Sequence, residues 1–140
     1  MRFKVYLRVI GPEDAIRAFN SEATWPQSSI RPLRRRAVWP PAADADVSWQ
    51  WQTHSIEASP DAVEKSVAQF VTAAKSLARH IQKHRPALEW ASLVVVAECT
   101  DSEVPGGLYF SVDTISSIQE LGVDLDIDFA RVSPDVASSA

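Results

Sequence analysis

The fold of this chain is decided by residues 106–129, whose sequence is GGLYFSVDTISSIQELGVDLDIDF. This segment predicts a short strand, a helix capped by Ser111 or Asp113, a helix stop at Gly122 and a closing strand. Glycine suits the helix end, because that position favours a left-handed backbone conformation. The closing strand alternates strictly, so one face is apolar and the other is acidic. Its apolar residues are Val123, Leu125, Ile127 and Phe129, and its acidic residues are Asp124, Asp126 and Asp128.

The rest of the chain supplies further strands and a long helix. Residues 2–10 and 47–54 alternate between apolar and polar side chains, which is typical of half-buried strands. Residues 60–85 carry an apolar stripe at helical spacing, with Ser59 as the expected N-cap. Residues 88–99 are almost continuously apolar and predict a central strand, in which Trp90 and an inert Cys99 thiol are expected to be buried.

These elements predict one α+β domain over residues 1–132, followed by a flexible tail at 133–140. We expect a mainly antiparallel sheet of five to six strands covered by one long and two short helices. A ferredoxin-like arrangement, or a duplicated variant of it, is the expected topology. Gly11-Pro12 should end the first strand and start a short helix. Residues 21–46 are rich in proline, so at most a short edge strand at 35–39 is expected there.

Bulk composition excludes several classes of protein. With 140 residues, 46% hydrophobic and 23% charged, the chain is typical of a globular domain. A net charge of −4 argues against a dedicated nucleic-acid binder, whose affinity depends on neutralising phosphates. The charged start has no signal-peptide pattern, and the apolar run at 93–97 is too short to span a bilayer. The sequence therefore predicts a cytoplasmic protein that does not bind membranes.

The acidic row Asp124, Asp126 and Asp128 is the densest carboxylate set. Neighbouring aspartates on one strand face lie about 7 Å apart, which is too far for tight chelation of one cation. A calcium loop is excluded because Phe129 and Asp135 stand where glycine and glutamate are needed. We therefore predict no metal and no cofactor. Two interpretations stay open: a solvated strand face, in which Asp128 bonds backbone or an arginine, and an acidic face that binds another protein.

Arg34, Arg35 and Arg36 form a second polar feature, with Trp39 close in sequence. Arginine binds carboxylates or phosphates through two parallel hydrogen bonds and stacks on aromatic rings. These four residues are a candidate partner-binding site, with a solvated loop as the alternative.

Aromatic and histidine residues offer a weaker alternative site. Trp49 and Trp51 share one strand face and are expected in the core; alternatively, they line a ligand cleft with His54. His80 and His84 have metal-ligand spacing but lie in a cationic helix end, which indicates surface residues. No residue set predicts catalysis.

Residues 107–129 resemble a bacterial domain family of unknown function, number 4279 in its series. The resemblance is carried by Leu108, Phe110, Ser111, Ile115, Leu121-Gly122, Leu125 and Ile127-Asp128-Phe129. Weaker matches are the opening strand with Gly11 and the tryptophan strand at 47–51. The chain departs from the family at 26–41, where an arginine- and proline-rich stretch replaces a glycine-containing segment. The family has no established activity, but some members resemble immunity-type proteins that neutralise bacterial toxins. 

The combined expectation is a noncatalytic domain that binds another protein, with toxin neutralisation as the role the resemblance implies. The alternative is a small-molecule-binding protein or minor enzyme, with Trp49, Trp51 and His54 lining its cleft.

Overall fold

The computed structural model describes residues 1–33, 47–103 and 107–133, which form an α+β domain. The strands are β1 (Arg2–Pro12), β2 (Ser28–Pro32), β3 (Ser48–Thr53), β4 (Ile56–Ala58), β5 (Trp90–Cys99) and β6 (Asp124–Arg131). The helices are α1 (Glu13–Glu22), α2 (Val63–Ala74), α3 (Ala78–His84) and α4 (Val112–Leu121). Short 3₁₀ turns follow α2 and α3, so residues 63–87 act as one long helical segment. In these ranges no helix is long and apolar enough to cross a membrane.

The described strands form one mixed sheet in the order β2-β3-β1-β5-β6, and β4 also pairs with β1. All pairs are antiparallel except β5 with β6, which are parallel. A parallel pair needs a crossover connection, and α4 lies between these two strands in the chain. When β3 and β4 are counted as one strand and α2 and α3 as one helix, the elements from β1 to β5 follow the β-α-β-β-α-β order of the ferredoxin-like motif. The α4–β6 unit extends that sheet by one strand, so the predicted α+β class is confirmed.

The core lies between one face of the sheet and the helices. Phe3, Val5, Leu7 and Val9 alternate along β1 and are all buried. They join buried residues of β5, α1, α2 and α4 in one hydrophobic cluster. The alternation read from the sequence therefore identifies the face of β1 that the helices cover.

β3 and β4 are two parts of one strand interrupted by a bulge. Arg8 pairs with Gln52 and Val5 pairs with Ile56, so three residues on the β3–β4 side lie opposite two on β1. The Thr53 hydroxyl accepts a 3.0 Å hydrogen bond from the Leu7 amide, which satisfies that donor where the ladder is disrupted. The bulge leaves His54 exposed at the surface.

Several local predictions are wrong. β1 continues through Gly11 and Pro12 instead of ending before them. The main helix begins at Val63 after a turn, and Ser59 does not cap it. Described residues 107–111 contain no strand. Trp90, at the first position of β5, is 45% exposed, because it alternates with the buried Ala91 and Leu93 and so lies on the face of the sheet opposite the helices. Residues 35–39 and the tail from 134 onward lie outside the described residues.

Candidate functional site

The strand β6 is positioned by α4, whose two ends are fixed by local chemistry. Ser111, one of the two expected caps, accepts a 3.2 Å hydrogen bond from the Thr114 amide. At the other end Gly122 has φ of 82°, in the left-handed region that the sequence predicts. The Thr114 hydroxyl and the Ser111 amide also donate to Glu64 on α2, at 2.7 and 3.1 Å. Burial raises the pKa of Glu64, but these hydrogen bonds outweigh it and lower the pKa below the ordinary value.

The apolar residues of β6 lie on the same face of the sheet that the helices cover over β1 and β5. Leu125, Ile127 and Phe129 are paired in register with Leu93, Val95 and Ala97 of β5. The three β5 side chains are fully buried, whereas their β6 neighbours are 37%, 37% and 62% exposed. β6 is the last of the described strands in the sheet order, so another described strand flanks it on the β5 side only. We call Leu125, Ile127 and Phe129 the β6 apolar row.

This exposure corrects an expectation from the sequence. The strict alternation in residues 123–129 predicts that the apolar row is buried, as the β1 row is. Val123 is buried, but the three following apolar residues are not. On the neighbouring helix, Val112 and Ile115 are also exposed, outside the buried stripe of Thr114, Ile118 and Leu121. The α4–β6 unit therefore carries a concentration of uncovered apolar side chains.

The three aspartates lie on the opposite face of β6. Asp126 accepts a 2.9 Å hydrogen bond from Arg8 on β1, two strands away. Asp124 and Asp128 are exposed and form no hydrogen bond or ion pair with any part of the chain that the structure describes. The expectation that Asp128 bonds backbone or an arginine is therefore wrong for the described residues. Two of the three carboxylates keep their charge available to solvent.

The basic residues of β1 are directed to other carboxylates on this polar face. Lys4 lies 3.0 Å and Arg2 3.4 Å from Glu98 of β5. Tyr6 lies between Lys4 and Arg8 on the same face of β1. Burial raises the pKa of Tyr6; Arg8 lowers it, and Asp128 and Asp126 raise it. The polar face is thus compensated near the middle of the sheet. Its carboxylates without an ion pair among the described residues, Asp124 and Asp128, lie on β6.

The residues of the predicted ligand cleft do not come together. Trp51 is fully buried, its ring centroid lies 5.0 Å from that of Phe19, and Trp49 is half-buried beneath the Arg17 guanidinium. The core interpretation of Trp51 is confirmed. The predicted arginine site, Arg34, Arg35, Arg36 and Trp39, lies outside the described residues. The Cys99 thiol is buried, as expected.

His54 instead lines a shallow cleft beside Trp25, a residue that the sequence analysis did not select. The cleft has a volume of about 370 Å³ and lies between α2 and the bulge that separates β3 from β4. The rings of Trp25 and Phe70, 5.6 Å apart, form its apolar wall. Trp25 stands alone in a proline-rich segment, without the periodicity that identifies a buried residue. Its contact with α2 depends on tertiary packing.

His80 and His84 belong to a charged cluster that joins α3 to the end of α1. Glu22 lies 2.8 Å from Lys83 Nζ, 3.0 Å from His84 Nε2 and 3.7 Å from His80 Nδ1. Hydrogen bonds from Lys83 and His84 lower the pKa of Glu22 from 4.5 to about 2. The cluster connects two helices that are distant in sequence.

Replacing Glu22 by glutamine should change how stability depends on pH. A carboxyl group whose pKa falls on folding adds stability that is complete above its unfolded pKa. This contribution is lost as the pH falls from 4.5 toward about 2. Glu22→Gln should therefore be less stable than the parent chain near pH 6, and the gap should close toward pH 2. Urea unfolding at several pH values measures this difference in the free energy of unfolding.

Glu13→Gln, which removes an exposed ion pair with Arg17, is the control and should show a smaller difference from the parent chain. A gap independent of pH would contradict the assignment.

Comparison with known proteins adds no relative to this picture: no family model, curated protein or solved structure matches the chain. The resemblance of residues 107–129 to family 4279 stays a prediction. The geometry of the described residues leaves two candidate sites. One is the β6 edge, meaning strand β6 with its apolar row and its aspartate face, and the other is the Trp25–His54 cleft.

Proposed function

We propose that this chain is a noncatalytic, cytoplasmic protein-binding domain whose contact surface is the β6 edge. One observation carries the proposal: the β6 apolar row is 37–62% exposed although it shares a face with the buried core of β5. Soluble domains usually cover or charge their edge strands, because an uncovered apolar edge promotes association. Contiguous exposed apolar side chains beside charged residues are typical of protein interfaces.

The acidic residues give this surface a second property. Asp124 and Asp128 border the apolar row on the other face of the same strand and are exposed. Exposed charge on an interacting strand orients the encounter with a partner and speeds association. This agrees with the acidic partner-binding face expected from the sequence. A toxin-neutralising role, implied by the resemblance, is one form of such binding and belongs to the proposal.

Phe129→Ser tests the proposal. Phe129 is 62% exposed, so its replacement should change the free energy of unfolding by less than about 1 kcal/mol. An aromatic residue at an interface centre commonly contributes 2 kcal/mol or more, so partner affinity should fall about 30-fold. Proteins captured from a native lysate are compared between the parent chain and the variant.

Val47→Ser is the matched control, since Val47 is also exposed, at 51%, but lies outside the β6 edge. The expected result is a partner that Val47→Ser retains and Phe129→Ser loses. A partner retained by both variants, or no specific partner, would remove the β6 edge as the binding surface.

A second function, binding of a small molecule, is favoured by the Trp25–His54 cleft. Its volume of about 370 Å³ is within the range of small-molecule sites. The Trp25 and Phe70 rings suit a planar apolar ligand, and the His54 imidazole could hold one polar group. Fragment screening by NMR, with Trp25→Ala as the control, tests this alternative. Ligand-induced shifts that Trp25→Ala abolishes would support it, and shifts that persist would contradict it.

A further inference from the structure

We propose that the partner segment at β6 is an extended strand in which basic residues alternate with apolar residues. It would join the sheet beside β6 and pair with its backbone. This inference rests on the proposed function, because it specifies the chemistry of the partner at the same surface.

The backbone of β6 is the first support. Among the described strands, β6 pairs only with β5. It is eight residues long, and the alternate amide and carbonyl groups along its outer side pair with no described strand. Several peptide-binding domains recognise extended segments in this way, with main-chain hydrogen bonds for affinity and side chains for specificity.

The two faces of β6 determine the side chains of the partner. Directly opposite residues of neighbouring strands have Cβ atoms about 5 Å apart, so each β6 side chain meets one partner side chain on its own face. Asp124 and Asp128 are exposed and unpaired within the described residues, which favours a lysine or arginine opposite them. On the other face the β6 apolar row favours apolar residues. The complementary strand therefore alternates basic and apolar residues with a period of two.

A second copy of the chain fits this surface less well. In a symmetric antiparallel pair of two β6 strands the aspartate faces coincide, because a two-fold axis brings the same face together. Like charges directly opposite each other are destabilising. The apolar row favours such a dimer, but the acidic face opposes it. A basic partner strand satisfies both faces.

The test uses synthetic peptides of eight residues with blocked ends. One alternates lysine and valine, and the other alternates glutamate and valine. Each is titrated into the ¹⁵N-labelled full chain at low salt, and amide shifts are followed. The lysine–valine peptide should shift β6 amides in a saturable manner, and the glutamate–valine peptide should not. 

A charge reversal then separates strand recognition from general attraction. The double variant D124K/D128K should bind the lysine–valine peptide at least tenfold more weakly and should gain binding of the glutamate–valine peptide. Asp126 is left in place because it pairs with Arg8. The control D61K/D101K changes the net charge equally at two exposed turn positions. It should keep the preference of the parent chain.

The outcomes separate this inference from the proposed function. Equal binding of both peptides, shifts outside β6, or loss of preference in D61K/D101K would overturn the inference. If peptide binding fails while a lysate partner still depends on Phe129, the partner binds the β6 edge in another way and only the proposed function stands. Peptide binding at β6 with a reversed preference in D124K/D128K would support the inference.

Discussion

Replacing Trp51 by alanine should lower the free energy of unfolding by about 3–5 kcal/mol, the range for a fully buried large aromatic residue. Trp51 is the largest fully buried side chain among the described residues. It lies on β3 and contacts Phe19 of α1 edge to face, with ring centroids 5.0 Å apart. Truncation would leave a cavity where α1 meets the sheet. Urea unfolding followed by far-UV circular dichroism measures the change.

Trp51→Phe should cost much less than Trp51→Ala. The Trp51 Nε1 donor is buried and has no hydrogen-bond partner in residues 1–33, 47–103 and 107–133. A buried donor without a partner costs about 1–3 kcal/mol, so phenylalanine removes that penalty while it keeps an aromatic contact with Phe19. We expect a net cost of about 1 kcal/mol or less. An equal cost for both variants would mean that the indole donor has a partner.

Trp49→Ala is the control for Trp51. Trp49 is half-buried and lies under the Arg17 guanidinium at 4.8 Å from the ring centroid. A cation–π contact near the surface contributes about 0.5–1 kcal/mol. The loss for Trp49→Ala should therefore be clearly smaller than for Trp51→Ala. A comparable loss would contradict the assignment of Trp51 as the packing centre.

Replacing Asp128 by threonine should cause the chain to self-associate through β6. Two copies of β6 can pair as antiparallel strands related by a two-fold axis. In the two registers that pair the most residues, this axis passes through Ile127 or through Asp128. In the first register, Asp126 of each copy lies opposite Asp128 of the other copy, which gives two facing pairs. In the second register, Asp128 of one copy lies opposite Asp128 of the other. Asp128→Thr removes the facing charges from both registers. The β6 apolar row then favours pairing of two β6 strands, and no facing aspartates repel each other.

The size of this effect follows from cross-strand energies. Facing like charges cost up to about 1 kcal/mol per pair, so removing two pairs should lower the dimer dissociation constant roughly 5- to 30-fold. Sedimentation velocity over a range of concentrations measures it. Asp128 has no partner among the described residues, so the monomer should lose less than about 0.5 kcal/mol. That differs from what the sequence-based expectation implied, namely that Asp128 bonds backbone or an arginine.

Asp124→Thr is the matched control. It removes one carboxylate from the same strand face, but Asp124 faces Ala130 of the second copy in the first register and lies outside the paired residues in the second. It should leave association unchanged. Equal association of both variants would show that overall charge, and not cross-strand pairing, keeps the chain apart.

Much of the fold could be predicted from local patterns. The alternation in residues 2–10 identified both β1 and its buried face, because side chains on a strand alternate between faces. Ser111 and Gly122 set the bounds of α4, because capping depends on a few neighbouring atoms. The continuous apolar residues of β5 indicated a central strand, since both of its faces are largely buried. The start of α2 was missed because a turn from Ser59 to Ala62 precedes it.

The candidate site was only half predictable. The sequence selected Asp124, Asp126 and Asp128 and placed them on one face of a strand, which the structure confirms. It could not distinguish Asp126, which pairs with Arg8, from the two exposed aspartates beside it. The two partners of that pair are 118 residues apart in the sequence, so no local pattern predicts their contact. His54 was selected with the wrong tryptophans for the same reason. Its neighbour Trp25 comes from a segment with no periodic pattern.

By itself the sequence determined the α+β class, the main elements and the two-faced character of residues 123–129. Those features depend on residue type and on spacing along the chain. Only the tertiary structure decided that β6 lies parallel to β5 at the edge of the described strands and that its apolar row is 37–62% exposed. The alternation of a strand shows which residues share a face, but burial of that face depends on which elements pack against it. The exposed apolar row, on the same strand as two aspartates that have no partner among the described residues, is therefore a property of strand order.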